Sequence, residues 1–212
     1  MTTRGKFITV EGIEGTGKST NIEFVTELIE SRGLTVLRTR EPGGTPMAEK
    51  IRQLLLDHGQ EPVPDIAELL LFFASRSLHL NNAIAPALTR GEWVICDRFT
   101  DASRAYQGAG RGLDVDRIEK LADWVQQGLE PDITLLLDAP AEVGMARTAG
   151  RDQNDRMDNE TLEFYQRVRD GYLNLAEIHS DRFRVINADQ SLADVRQSIS
   201  ACLEPLLSEI SN

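Results

Sequence analysis

Gly12-Ile13-Glu14-Gly15-Thr16-Gly17-Lys18-Ser19 decides the fold. Two glycines five positions apart, then lysine, then serine, make the pattern of a phosphate-binding loop. Glycine lets the backbone turn tightly and brings several N–H groups close to one point. With the first turn of a following helix, those groups form a concave anion site. The Lys18 ammonium can reach terminal phosphates, and the Ser19 hydroxyl can ligate magnesium. The pattern carries weight only between a strand and a helix, and the flanks supply both. Lys6-Phe7-Ile8-Thr9-Val10-Glu11 reads as a strand, and residues 20–31 read as a helix with Ile22, Val25, Leu28 and Ile29 on one face.

Outward from the loop, strands and helices alternate. Further strands are predicted over residues 34–38, 92–96, 132–138 and 182–187. The run Ile133-Thr134-Leu135-Leu136-Leu137 is the kind found in a strand covered on both faces. Helices are predicted over 46–57, from Asp65 towards Leu88 with a bend at Pro86, and over 114–127, 141–148, 160–178 and 192–207. Asp65, with Glu68 three residues on, reads as a capping box. Gln107-Gly108-Ala109-Gly110-Arg111-Gly112 reads as a glycine-rich loop, and residues 150–158 as a polar connector. The alternation implies a P-loop α/β fold, a five-stranded parallel sheet with helices on both faces, as one domain over residues 1–212. Ligands then gather at the carboxyl ends of the strands. The loop, residues 40–45, Asp97-Arg98 and Asp138 all follow predicted strands and should share that edge.

Composition narrows the partners. The chain has 41% hydrophobic and 27% charged residues, an ordinary globular balance, and a net charge of −11. The acidity argues against a polynucleotide partner but not against small phosphorylated ligands, which need only a local cluster of Arg and Lys. No apolar run is long enough to span a membrane, and the N-terminus shows no signal-peptide core. Cys96 and Cys202 are isolated, without metal-ligand spacing, and read as reduced packing residues of a cytoplasmic protein. His79, Trp93 and Trp124 read as packing residues.

Phosphoryl transfer requires positioning and charge neutralisation more than covalent chemistry. Asp97 ends an apolar strand, where a carboxylate reaches magnesium through water, and Asp138 has the same strand-end geometry as its rival. Arg98 can bridge phosphates. Arg147, Arg151 and Arg156 lie in or beside the polar segment and are candidates to close over a nucleotide, with a lid over about 147–158. Phe72 and Arg76, four apart, share a helix face, where a ring could stack on a base and a guanidinium bond its edge. By sequence alone, Phe72 and Phe73 read as core.

Glu11 to Thr20, Arg40 to Thr45, Leu71 to Arg76, Asp97-Arg98 and Ala105-Tyr106-Gln107-Gly108 come in the order and spacing of one family. Over nearly its whole length the chain resembles the thymidylate kinases, which pass a phosphoryl group from ATP to dTMP on the way to dTTP. The resemblance implies that Gly12, Ile13, Glu14, Gly15, Thr16, Gly17, Lys18, Ser19 and Thr20 hold ATP with magnesium. It implies that Glu14 holds the acceptor's 3′-hydroxyl and that Arg40, Arg52 and Arg98 hold its phosphate, with Glu41 beside the transfer site. Phe72 would stack on thymine, Arg76 donate to its O4, Ser103 and Gln107 approach the other base edge, and Tyr106 approach the sugar. Gly15 stands where eukaryotic-type members carry an arginine, so the cation must come from the lid, as in the bacterial type. The family forms homodimers through packed helices, and the apolar helix at residues 69–80 would contribute to such an interface. The rivals are another small nucleotide kinase, acting on a purine monophosphate or a deoxynucleoside, and a nucleotide-dependent switch. The switch would want an Asn-Lys-x-Asp after a strand, which the chain lacks. A binding module without catalysis fits poorly with Lys18, Ser19, Asp97 and the arginines.

Overall fold

The computed structural model describes residues 4–57, 61–149 and 160–208. Five strands, β1 (Phe7–Glu11), β2 (Val36–Arg40), β3 (Trp93–Asp97), β4 (Ile133–Asp138) and β5 (Phe183–Asn187), form one sheet in the order β2-β3-β1-β4-β5. Every pairing is parallel. The described helices are α1 (Lys18–Glu30), α2 (Pro46–Leu56), α3 (Asp65–His79), α4 (Ala85–Thr89), α5 (Thr100–Ser103), α6 (Val115–Gln126), α7 (Ala141–Thr148), α8 (Leu162–Ile178) and α9 (Leu192–Ser208).

The central strand β1 is buried throughout, and its alternation divides the core in two. Ile8 and Val10 face α1 and α9, against Ile22, Val25, Ile199 and Leu203. Phe7 faces the other way, against Val94, Leu88 and Phe99. Period two then sends Glu11 to the same side as Phe7, beneath α5 and α8. Val10 and Arg40 both pair with Asp97, and Glu11 pairs with Leu136, so the strands' carboxyl ends lie level along one edge.

Five expectations change. The second strand begins at Val36 rather than at residue 34, so Arg40 is its last residue. Asp65 does not cap α3: the N-cap is Pro64, without a side-chain bond. Glu68 instead turns into the protein, where Gln107 and Arg111 satisfy its carboxylate. The long helix reaches Thr89, but through a π-helical stretch at Leu80–Ile84 in which the Ala85 N–H bonds Leu80. The widened turn lies just before Pro86, which has no N–H to give to the ladder.

The glycine-rich segment is also helical rather than a loop: α5 runs on into a second π-helical stretch, Arg104–Gly110. Its glycine serves close packing. A Cβ at Gly110 would lie 2.7 Å from Phe164 and 2.8 Å from Val168 on α8. Reciprocally, a Cβ at Gly171 of α8 would lie 2.6 Å from that of Ala109. Trp124 does not pack inside, being 77% exposed on α6.

Candidate active site

The loop after β1 takes the form its glycines allow. Gly12, Gly15 and Gly17 have φ of 136°, 74° and 84°, a region that side chains rarely enter. Gly17 is the N-cap of α1 and brings no side-chain cap, so the first-turn N–H groups stay turned to the loop's concavity. The Lys18 ammonium donates to the carbonyls of Gly12 and Ile13, at 3.0 and 2.8 Å. Burial, with Arg98 adding to it, pushes its pKa down to about 8.

Two cavities open on this edge. The larger, about 840 Å³, is lined by the loop, the start of α1, Arg147 and Thr148 of α7, and Gln190. The smaller, about 110 Å³, is walled by Arg52, Phe72, Arg76, Ser103, Tyr106 and Gln107, with Glu41 and Arg98. Glu14 lines both.

The wall between them is a chain of short hydrogen bonds. Arg98 Nη2 donates to Glu14 Oε1 at 2.7 Å, and the Tyr106 hydroxyl donates to Glu14 Oε2 at 2.7 Å. The Arg98 guanidinium lies 4.6 Å from the centre of the Tyr106 ring. Arg98 has φ 69°, a left-handed conformation that costs a non-glycine residue about 1–3 kcal/mol. It turns the chain sharply after β3, and its side chain reaches the loop. Burial holds the Tyr106 phenol well above its usual range, so it remains a donor to Glu14.

Beneath this wall lies a second carboxylate. Glu11 is fully buried and accepts from the Phe99 N–H and the Tyr172 hydroxyl, both at 2.7 Å. Burial first, then the charge of Asp101, pushes its pKa up to about 8. Glu41, also buried, accepts from Arg76 Nε at 2.7 Å and faces His79 Nδ1 at 3.1 Å. His79 Nε2 in turn meets the Thr39 hydroxyl at 2.7 Å. His79 is therefore a polar link behind the smaller cavity rather than packing alone.

The two strand-end carboxylates separate cleanly. Both oxygens of Asp138 are held by Arg169, at 2.7 and 2.8 Å. Asp97 Oδ1 is buried without a hydrogen-bond partner, which a hydrated cation would satisfy. Asp97 thus has a carboxylate oxygen that could serve magnesium and Ser19 lines the larger cavity, whereas both oxygens of Asp138 are taken.

The structure brings most of the predicted residues together. Phe72 lines the smaller cavity, whereas Phe73 is buried between α3 and α6, so the expectation that both are core holds for one ring. Arg52 lines that cavity and donates to the Pro42 carbonyl. Arg40 pairs with Glu49 at 2.8 Å on the exposed side, outside the cavity lining. Arg147 donates to the Ala188 carbonyl and pairs with Asp189 at the larger cavity. Arg151 and Arg156 lie outside the described residues. Sequence reasoning missed Glu11, Glu68, His79 and Tyr172. Only the placement of two acids among apolar neighbours could have drawn attention to any of them.

The thymidylate kinase family model matches residues 10–199. A thymidylate kinase of Chromohalobacter salexigens is 56% identical over 203 residues, 95% of this chain and 96% of its own length. One of Teredinibacter turnerae is 53% identical over 203 residues, 96% of this chain and 99% of its own. The crystal structure of thymidylate kinase from Ehrlichia chaffeensis superposes with a TM-score of 0.73 at 36% identity, covering 94% of this chain and 99% of the other.

Proposed function

The chain belongs to the thymidylate kinase family, and from that premise we infer that it transfers the γ-phosphoryl group of ATP to dTMP, giving dTDP and ADP. The observation that carries the division of labour is Glu14, a residue of the phosphate loop that also walls the smaller cavity. A donor phosphate in the loop and an acceptor in that cavity are then neighbours across one side chain. Proximity of this kind accounts for much of the catalysis in a phosphoryl transfer.

ATP occupies the larger cavity, its triphosphate on the N–H groups of residues 12–20 and its nucleoside towards Arg147. Lys18 leaves the loop carbonyls for the outer phosphates. Magnesium, held through Ser19 and Asp97, would neutralise phosphate charge when bound. dTMP occupies the smaller cavity. Phe72 stacks on the base, Arg76, Ser103 and Gln107 meet its polar edge, and Tyr106 and Glu14 meet the sugar and its 3′-hydroxyl. Arg98 and Arg52 hold the acceptor phosphate, whose oxygen attacks the γ-phosphorus as the bond to the β-γ bridging oxygen breaks. Arg40 would join them only by leaving Glu49. Arg151 and Arg156 are the sequence's candidates for the cation that Gly15 does not supply.

Association as a homodimer is supported by apolar side chains exposed on the neighbouring helices α2, α3 and α6, among them Leu54, Leu70 and Trp124. The cytoplasmic reading rests on Cys96 and Cys202, both free thiols; among the described residues no helix is long and apolar enough to cross a membrane.

Lys18→Ala tests the reading. It should lower dTMP-dependent ADP release by roughly 10²–10³-fold, the usual loss for a donor that stabilises developing charge. Its circular dichroism should be unchanged, because the sheet's burial does not use the ammonium. Turnover retained at the parent's rate would reject the assignment.

A further inference from the structure

Gln107 can face a nucleobase with either end of its amide, and the two ends select opposite partners. Its carbonyl accepts a hydrogen bond, as from the N3–H of an imide base such as thymine. Its NH2 donates, as to the unprotonated N3 of cytosine. In the structure Gln107 Nε2 donates to Glu68 Oε1 at 3.0 Å. Glu68 is wholly buried, and the same oxygen accepts from Arg111 Nε at 3.0 Å. An ion-paired carboxylate only accepts, so the Gln107 NH2 must face it, and Oε1 is left for the cavity that Gln107 lines. Opposite it, Arg76 spends Nε on Glu41 and Nη2 on Phe99 O and Ser103 Oγ, while Nη1 is buried without a partner. Gln107 therefore presents an acceptor to the cavity, the complement of the N3–H of an imide edge and the inverse of what the unprotonated N3 of cytosine needs.

We propose that Glu68 is a specificity-setting positioning residue: it fixes the polarity of Gln107 and so makes the acceptor site choose imide pyrimidine nucleotides over aminopyrimidine ones. The inference rests on the reading of the smaller cavity as the nucleotide acceptor site. Glu68 touches no substrate. A buried polar group left facing the wrong partner rejects a ligand strongly, and the carboxylate ensures that cytosine is the ligand so rejected.

The test is the ratio of kcat/KM for dTMP to that for dCMP. In Glu68→Gln the new amide can donate as well as accept, so Gln107 is free to turn over. The ratio should fall at least tenfold, with kcat/KM for dCMP rising in absolute terms. The pair Glu68→Gln with Arg111→Met removes the buried carboxylate together with its guanidinium partner, leaves only the partly exposed Glu160 and Asp65 without that guanidinium, and should give the same fall if the single variant does not fold. General loosening of the site would lower both substrates together and leave the ratio alone. An unchanged ratio in a variant that melts cooperatively overturns the role of Glu68 while leaving the site intact. A parent that shows no preference for dTMP over dCMP overturns the acceptor-site reading itself.

Discussion

Glu11→Gln isolates the titration of one buried carboxyl. Glu11 has no exposure, and its pKa is pushed from 4.5 up to about 8, by burial first and then by Asp101. Between those values the folded protein retains a proton that the unfolded chain has released. The sign follows from linkage: the stabilisation is complete below pH 4.5 and is lost as pH rises through about 8. Stability should fall by about 1.4 kcal/mol per pH unit across that interval, roughly 5 kcal/mol in all. The amide of the variant reproduces the protonated form. Its carbonyl can accept from the Phe99 N–H, and its NH2 can donate to the Tyr172 hydroxyl, which Arg98 already approaches at 3.4 Å. Urea unfolding of both proteins at whole pH units from 5 to 9 gives the difference directly, and the other groups, Lys18 included, titrate in both. The parent's stability should decline relative to the variant's by about 1.4 kcal/mol per unit up to pH 8 and then run parallel. Parallel curves throughout would refute the reasoning, since Glu11 would then carry the same charge folded and unfolded.

Phe72→Ala should raise the KM for dTMP by about ten- to a hundredfold, the worth of one base–aromatic stack, while the KM for ATP moves little. Equal changes in both constants, read in a coupled assay, would return Phe72 to the core. Gly110→Ala should cost about 1–3 kcal/mol in thermal or urea unfolding, because the new methyl meets Phe164 and Val168 below 3.0 Å. Gly108→Ala, whose nearest new contact is Ile118 at 3.4 Å, should cost much less, and equal costs at the two positions would show that packing against α8 is not what requires glycine.

The sheet and the loop that lines the larger cavity were legible because their signals are local. A strand, a glycine loop and a helix occupy one continuous stretch, and the strand-end residues follow from counting strands. The lining of the smaller cavity was drawn together only through resemblance. Phe72 and Phe73 look alike in sequence, yet a step of one residue around α3 sends the first to the cavity and the second to the core. Asp97 and Asp138 were indistinguishable until Arg169, thirty-one residues beyond the latter, proved to occupy it. Glu11, Glu68 and His79 act through partners on distant segments. The π-helical stretch at Arg104–Gly110 was missed for a related reason: Gly108 and Gly110 so close together read as a turn, and only the facing surface of α8 makes a helix with bare glycine on that side the better solution.

Gly15 and Gly144 touch backbone to backbone. A Cβ at the first would stand 2.1 Å from the Gly144 carbonyl oxygen, and one at the second 2.5 Å from that of Glu14. The phosphate loop and α7 are thus seated against each other with no side chain between them to act as a cushion. A cationic side chain at position 15 would meet the Gly144 backbone, so a loop that carries one requires a different seat for α7 and is not reached from this loop by a single codon change. The two designs are separated by a steric ridge, and a lineage that has settled on one side has a structural reason to stay there.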